Sequence, residues 1–141
     1  MTSLTDVRIA LARAAEGAIR VQAFENWREA PAVPTGGAAV MIRPDSGSFE
    51  ESFGSPGESA IHLEAHIIVG MESLFRDSQI RLDQYLDKND ELSIRAAILL
   101  DPTLGGLVDQ VFVHRWRDYG TKIYGGVEHL SAILEVEVWL G

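Results

Sequence analysis

Strict alternation is clearest over Ala60–Val69. Ile61, Leu63, Ala65, Ile67 and Val69 fall on one side of an extended chain, and Ala60, His62, Glu64, His66 and Ile68 on the other. A period of two predicts a strand with one face on a core and the other toward water or a partner. Ser131–Leu140 repeats the pattern, with Ala132, Leu134, Val136, Val138 and Leu140 against Ile133, Glu135, Glu137 and Trp139. Shorter apolar stretches at Ile19–Ala23, Ala38–Ile42 and Val108–Val113 predict three more strands, and Pro44 is expected to stop the second of these.

Helical spacing appears in three places. Leu4, Val7, Leu11, Ala14, Ala15 and Ala18 form one stripe, opened by Ser3 and Asp6 in a capping-box arrangement and closed at Gly17. Ser73–Leu86 predicts a second helix, with Phe75, Leu82, Tyr85 and Leu86 inward. Ser93–Leu100 predicts a third, with Ile94, Ala97, Ile98 and Leu100 inward and Pro102 marking the stop. Gly105 and Gly106 then release the chain into the next strand. Asn26–Pro34 and Asp45–Ser59 read as loops, and Tyr119-Gly120 and Tyr124-Gly125-Gly126 as turns. Largely sequential strands with interspersed helices predict an α+β fold. The expected form is one domain over residues 1–141, a mixed, mainly antiparallel sheet with helices packed on one face and long β-hairpins.

The 141 residues suffice for one core. The net charge of −9 opposes binding to a phosphate backbone, so sequence-specific DNA recognition is not expected. No cysteine is present, which removes disulfides, thiolate nucleophiles and cysteine zinc sites. Arg8 and Arg13 interrupt the apolar residues near the N-terminus and no apolar run reaches the length of a bilayer span, so synthesis in the cytoplasm and no membrane partner are expected.

The constellations that carry chemistry elsewhere are weak here. His62, Glu64 and His66 share a strand face, but neighbours on one face stand roughly 6.6 Å apart, so one ion would need help from another strand, His114 being the candidate. Glu135 and Glu137 share a face as well and read as a solvated or subunit-facing acidic strip. Asp45-Ser46-Gly47-Ser48 lacks the strand-to-helix elbow of a nucleophilic serine, and neither glycine-rich phosphate motif occurs. We therefore expect no catalytic residues, no metal and no cofactor. Trp116, Tyr119, Tyr124 and Trp139, beside Arg115 and Arg117, have the composition of a protein-interface hot spot, with core filling as the alternative for the two tryptophans.

Over Pro34–Leu140 the chain resembles the tail terminator (tail completion, or head–tail joining) proteins of long-tailed, non-contractile bacteriophages. The resemblance is carried by the strand ending at Arg43-Pro44, the strand to Val69, Arg81-Leu82-Asp83-Gln84-Tyr85-Leu86-Asp87 and Ser93-Ile94-Arg95-Ala96-Ala97-Ile98. It continues through Asp101-Pro102-Thr103-Leu104-Gly105-Gly106, Tyr119-Gly120 and Glu135-Val136-Glu137-Val138. These are structural motifs taken in order, not catalytic fingerprints. The resemblance implies an assembly protein without enzymatic activity. Its subunits would form a homo-hexameric ring on the head-proximal end of the tail tube, end tail polymerisation and join the tail to the head connector. The implied partners are other copies of the chain, the tail tube protein and the connector or head-completion protein, with DNA passing through without specific binding. The implied location is the tail–neck junction of the virion. Another phage neck component, and a small ligand-binding or enzymatic α+β domain, are the alternatives.

On this expectation Phe49, Phe53, Arg115, Trp116, Arg117, Tyr119 and Trp139 are candidates for the subunit or tail-tube interface. Glu64, Glu128, Glu135 and Glu137 are candidates for lining a channel whose negative charge would keep DNA from sticking. Phe49 and Phe53 stand in a Gly/Ser-rich acidic segment, where they are costly to expose and useful if buried on assembly. Deletion of Glu50–Pro56 is accordingly predicted to abolish assembly while the monomer keeps its circular-dichroism spectrum and melting transition. Normal assembly of the deletion variant would remove the segment from the interface.

Overall fold

The capping box forms as the sequence implies. Ser3 Oγ accepts from the Asp6 amide at 3.1 Å, Asp6 Oδ2 accepts from the Ser3 amide, and α1 (Leu4–Ala15) follows. The computed structural model describes residues 3–26, 31–48, 60–88 and 91–140. The remaining elements are β1 (Val21–Phe24), β2 (Ala38–Ser48), β3 (Ala60–Gly70), α2 (Phe75–Leu86), α3 (Ile94–Leu99), β4 (Gln110–Tyr124) and β5 (Val127–Trp139).

The strands make one five-stranded sheet in the order β1-β2-β3-β5-β4. Only β1 and β2 run parallel, and the other pairings are antiparallel. One face carries the apolar rows read from the alternation. Across the centre of the sheet, Ala65 of β3 pairs with Ile42 and Leu134, and Ile67 with Val40 and Ala132. Val7, Leu11 and Ala15 of α1, Leu82 and Tyr85 of α2 and Ile94 and Ile98 of α3 close over this face in one core. The α+β class with helices on one side of a mixed sheet is what the sequence predicted.

Hydrogen bonds from buried polar groups tie the helices to the sheet. α2 begins at Leu74 without a side-chain cap. Instead the fully buried Ser78 accepts from the Glu72 amide at 2.7 Å and donates to the Gly70 carbonyl at 3.1 Å, clamping the helix to the end of β3. Tyr85 donates from its phenol to the Ile19 carbonyl at 2.8 Å, linking α2 to the chain just beyond α1. The next connection needs glycine. A Cβ on Gly37 would lie 2.1 Å from the Arg20 carbonyl oxygen, which accepts from the Ala38 amide at 3.0 Å where β2 begins.

Several expectations need correction. The first strand starts at Val21, because Arg20 takes a positive φ of 57° in a turn. Pro44 does not stop β2, which continues to Ser48 across a bulge between Pro44 and Ser46. β1 pairs only with Ala38–Met41, so among the described residues Pro44 has no strand on the β1 side that would need its missing N–H. Asp45–Ser48, expected as loop, therefore belongs to a strand; residues 49–59 of that expected loop lie outside the described residues.

Tyr119-Gly120 is not a turn. β4 runs through it, absorbing irregularities between Val113 and Arg115 and between Arg117 and Gly120. The turn is Gly125-Gly126 alone, with φ of 59° and 78°, the two-residue geometry that suits the twist of a hairpin. β5 consequently begins at Val127, four residues before the predicted start. Phe75 and Leu100, placed inward by helical spacing, are exposed, Leu100 at 88%. Leu100 is the cap residue beyond the last turn of a six-residue helix.

Replacing Tyr85 by Phe leaves the ring packing intact and orphans the Ile19 carbonyl. Tyr85→Phe should cost about 1 kcal/mol in urea denaturation. An unchanged midpoint would show that water replaces the bond without loss.

Candidate functional site

Several of the sequence-selected residues collect on the sheet face away from the helices. Register sets Glu64 opposite both Arg43 and Glu135, His62 opposite Glu137, and Arg115 opposite Glu135. Three of the four channel-lining candidates, Glu64, Glu135 and Glu137, thus lie on one face. Glu128 is not with them; it sits exposed near the hairpin turn.

The carboxylates are matched by arginines and histidines. Glu64 binds the Arg117 guanidinium on one oxygen and His66 Nε2 at 3.0 Å on the other. Arg117 also reaches Asp118, and its Nε lies 3.8 Å from Glu135. Arg115 Nε donates to both Glu135 oxygens, at 2.6 and 3.1 Å. His114 Nε2 lies 2.7 Å from Glu137. The face is therefore a lattice of arginine ion pairs and histidine hydrogen bonds rather than the solvated or subunit-facing acidic strip expected. Beside it lies a cleft of about 300 Å³ lined by Asp45, His62, Glu64, His114, Arg117 and Glu135.

Burial gives the centre of this lattice its electrostatic character. Desolvation would raise the Glu64 carboxyl, but the hydrogen bonds from His66 and Arg117 outweigh it and hold the group below its ordinary value. Burial likewise lowers His66, and the pull of Glu64 only partly restores it. At neutral pH the pair is a carboxylate and a neutral imidazole. Glu137 is desolvated too, yet sits below its ordinary value because His114 and Trp139 donate to it. His62 does not join His66 on a common ion: among the described residues no three His, Asp or Glu side chains converge on one point.

This face is not wholly open, contrary to the reading of the alternation. His66 and Ile68 are buried, and Ile68 joins Phe24, Ala39, Met41 and Tyr124 in a second small cluster against Val33. That cluster confines the polar region to the end of the sheet around Glu64.

The remaining interface candidates separate. Trp116 is 52% exposed and leans on Tyr119, with ring centroids 6.0 Å apart. Tyr119 packs against the main core and donates to Asp83 at 2.9 Å, binding β4 to α2. Burial and the Asp83 carboxylate push its phenol up to about 12. Trp139 is half-buried, and its carbonyl accepts from the Asp109 amide at 2.8 Å. Tyr124 is buried in the second cluster. Phe49 and Phe53 lie outside the described residues.

The sequence reading missed the exposed Phe112, Ile123 and Val127, which with Trp116 run along the β4–β5 hairpin. Phe112 stacks on His114, with ring centroids 6.0 Å apart. Alternation could have assigned Phe112 opposite Val111 and Val113, but the bulges that re-aim later positions of β4 leave no mark in the sequence.

No helix among the described residues is long and apolar enough to cross a membrane. No protein-family model matches the chain, and no curated protein is significantly similar to it.

The Glu64–His66 pair gives the fold a defined response to acid. His66 is lowered from 6.5, so the unfolded chain takes up a proton that the fold resists, and stability declines as pH falls below about 6.5. The Glu64 contribution is present above its unfolded value of 4.5 and is lost as pH falls through the lower folded value. The melting temperature should therefore drop between about pH 7.5 and 5.5, and His66→Gln should flatten that limb while leaving the steeper loss at lower pH. Equal slopes in the two proteins would assign the acid response to other groups.

Proposed function

We propose that the protein is a structural subunit of a bacteriophage neck, a tail terminator that closes as a ring on the head-proximal end of the tail tube. In this role it ends tail polymerisation and offers a surface to the head connector. The observation that carries the reading is the β4–β5 hairpin. It is long, its outer strand is an edge of the sheet, and it exposes Phe112, Trp116, Ile123 and Val127 in one element. Exposed apolar side chains spread along a hairpin at the sheet edge favour a surface for assembly over one for catalysis.

Other features support the same reading. The elements follow the order of the resembling segments: α2, α3, the Asp101–Gly106 turn, then the hairpin. That turn is rigidly built. Asp101 accepts from the Gly105 amide at 2.6 Å and from Thr103 Oγ1 at 3.0 Å, and Leu104, Gly105 and Gly106 all take positive φ. A fixed turn sets the angle at which β4 leaves the helices. The sheet ends in two edges, β1 and β4, which differ in length and sequence. Unlike edges suit a head-to-tail contact that closes by rotation. A six-membered ring with tube and connector as partners is the form the reading takes, without enzymatic activity or cofactor, and its place is the tail–neck junction of a virion. DNA traversing such a ring beside the Glu64–Glu135 face would meet paired charges with little net attraction.

The test is assembly. Purified protein is mixed with tail tubes lacking a terminator and, separately, with isolated head connectors, and both are viewed by electron microscopy. Rings on one end of the tubes are the expected result. Binding to connectors alone would reassign the protein to another neck component, and binding to neither would overturn the proposal.

A further inference from the structure

A pocket of about 520 Å³ lies where the end of α2 and the start of α3 meet β4. Its floor is apolar, from Leu86, Val113 and Leu134, and its rim is basic, from Lys88, Arg95 and Arg115, with Trp116 beside them. This concentration of cations is local to a chain whose net charge is −9. Arg115 is shared with Glu135, but neither Lys88 nor Arg95 has a carboxylate within ion-pair distance among the described residues. Arg95 instead points its Nε at the Val113 carbonyl, 3.4 Å away.

That contact fixes where the pocket opens. β4 is the last strand of the sheet, so the backbone groups on its outer side have no strand partner among the described residues. At its start this side is occupied: the Val111 amide donates to the Pro102 carbonyl at 2.8 Å, and Arg95 covers Val113. Beyond Val113, where Arg115 and Trp116 line the pocket, no such hydrogen bond to the outer side of β4 is made among the described residues. The free edge therefore begins at the pocket mouth.

We propose that this pocket and the adjoining edge of β4 dock an extended acidic peptide segment of a partner protein. The segment lies along β4 from Arg115 onward and makes main-chain hydrogen bonds to it. One of its carboxylates sits between Lys88 and Arg95. An apolar side chain two positions away, on the same face of the extended peptide, packs on Trp116 and the floor formed by Val113 and Leu134. The charges select an acidic ligand, the strand edge selects an extended one, and Trp116 supplies the apolar anchor. A nucleic-acid strand is disfavoured by Asp118, Glu135 and Glu137 on the same strand pair and by the overall charge. The inference does not depend on the ring reading, because a monomer would present the same pocket.

The experiment is a titration of the full chain followed by amide and indole NMR shifts. The probe is a capped peptide, Thr-Glu-Thr-Leu-Thr-Glu, with its glutamine counterpart and inorganic phosphate as separate arms. Shifts should gather at the Trp116 indole and the amides of Arg115–Tyr119 and Arg95. Lys88→Glu should weaken the peptide by about tenfold, while Arg76→Glu at the far end of α2 should not. Lys88 is exposed and its side chain makes no hydrogen bond or ion pair among the described residues, so the variant is expected to melt as the parent does. Equal binding of the glutamine peptide would overturn the proposal. So would phosphate shifting the same amides as strongly as the peptide, which would leave a simple anion site, and so would the absence of any shift with millimolar peptide.

Discussion

All three helices lie on one side of the sheet, and the rest of the structure answers to that constraint. The covered face can be wholly apolar, and the rows from β2, β3 and β5 are. The opposite face has no second layer among the described residues, so its central positions are satisfied largely from within the sheet. At the Glu64 end this is done with ion pairs to Arg117 and Arg115 and hydrogen bonds to His114 and His66. At the other end it is done with a small apolar cluster around Met41 and Ile68. Isolated surface ion pairs contribute little, but a linked set around a half-buried carboxylate is harder to remove singly, because each deletion strands a charge.

The same constraint explains why the charged face and the proposed docking pocket are separate. Arg117 is drawn across the uncovered face to Glu64, while Arg95 and Lys88 remain on the helix side of β4. Arg115 lies at the boundary, bound to Glu135 yet reaching the pocket rim. β4 is thus a strand with different chemistry on its two sides and, among the described residues, an edge between them that no strand pairs.

Much of the fold was legible because the central strands keep strict alternation. The inward rows of β3 and β5 were readable residue by residue, and Ser3, Ser93, Gly105 and Gly106 marked element ends by their own conformational preferences. The failures occurred where tertiary pairing overrides local signals. Pro44 reads as a strand terminator, but its neighbour on that side ends too early for the missing donor to matter. Tyr119-Gly120 reads as a turn, but β5 holds it in a bulged strand. Of the site, the shared face of Glu64, Glu135 and Glu137 followed from parity. Their pairing with arginines from β4 did not, because that register depends on two irregularities with no sequence signature. The placing of Trp116 on the helix side, opposite Leu134, follows from the first of these irregularities.

The Gly125-Gly126 turn has a kinetic consequence. It joins two strands that are adjacent in sequence, so β4 and β5 can pair by closing a loop of two residues, an event on the order of microseconds. The partnership of β3 with β5 requires the chain from Gly70 to His129 to close first, at a much larger cost in chain entropy. A preformed hairpin presents β5 as a ready template on which β3 can zip from the Gly70–His129 end. The element that leaves Phe112, Trp116, Ile123 and Val127 exposed in the finished protein is therefore the one best placed to organise the sheet while it forms.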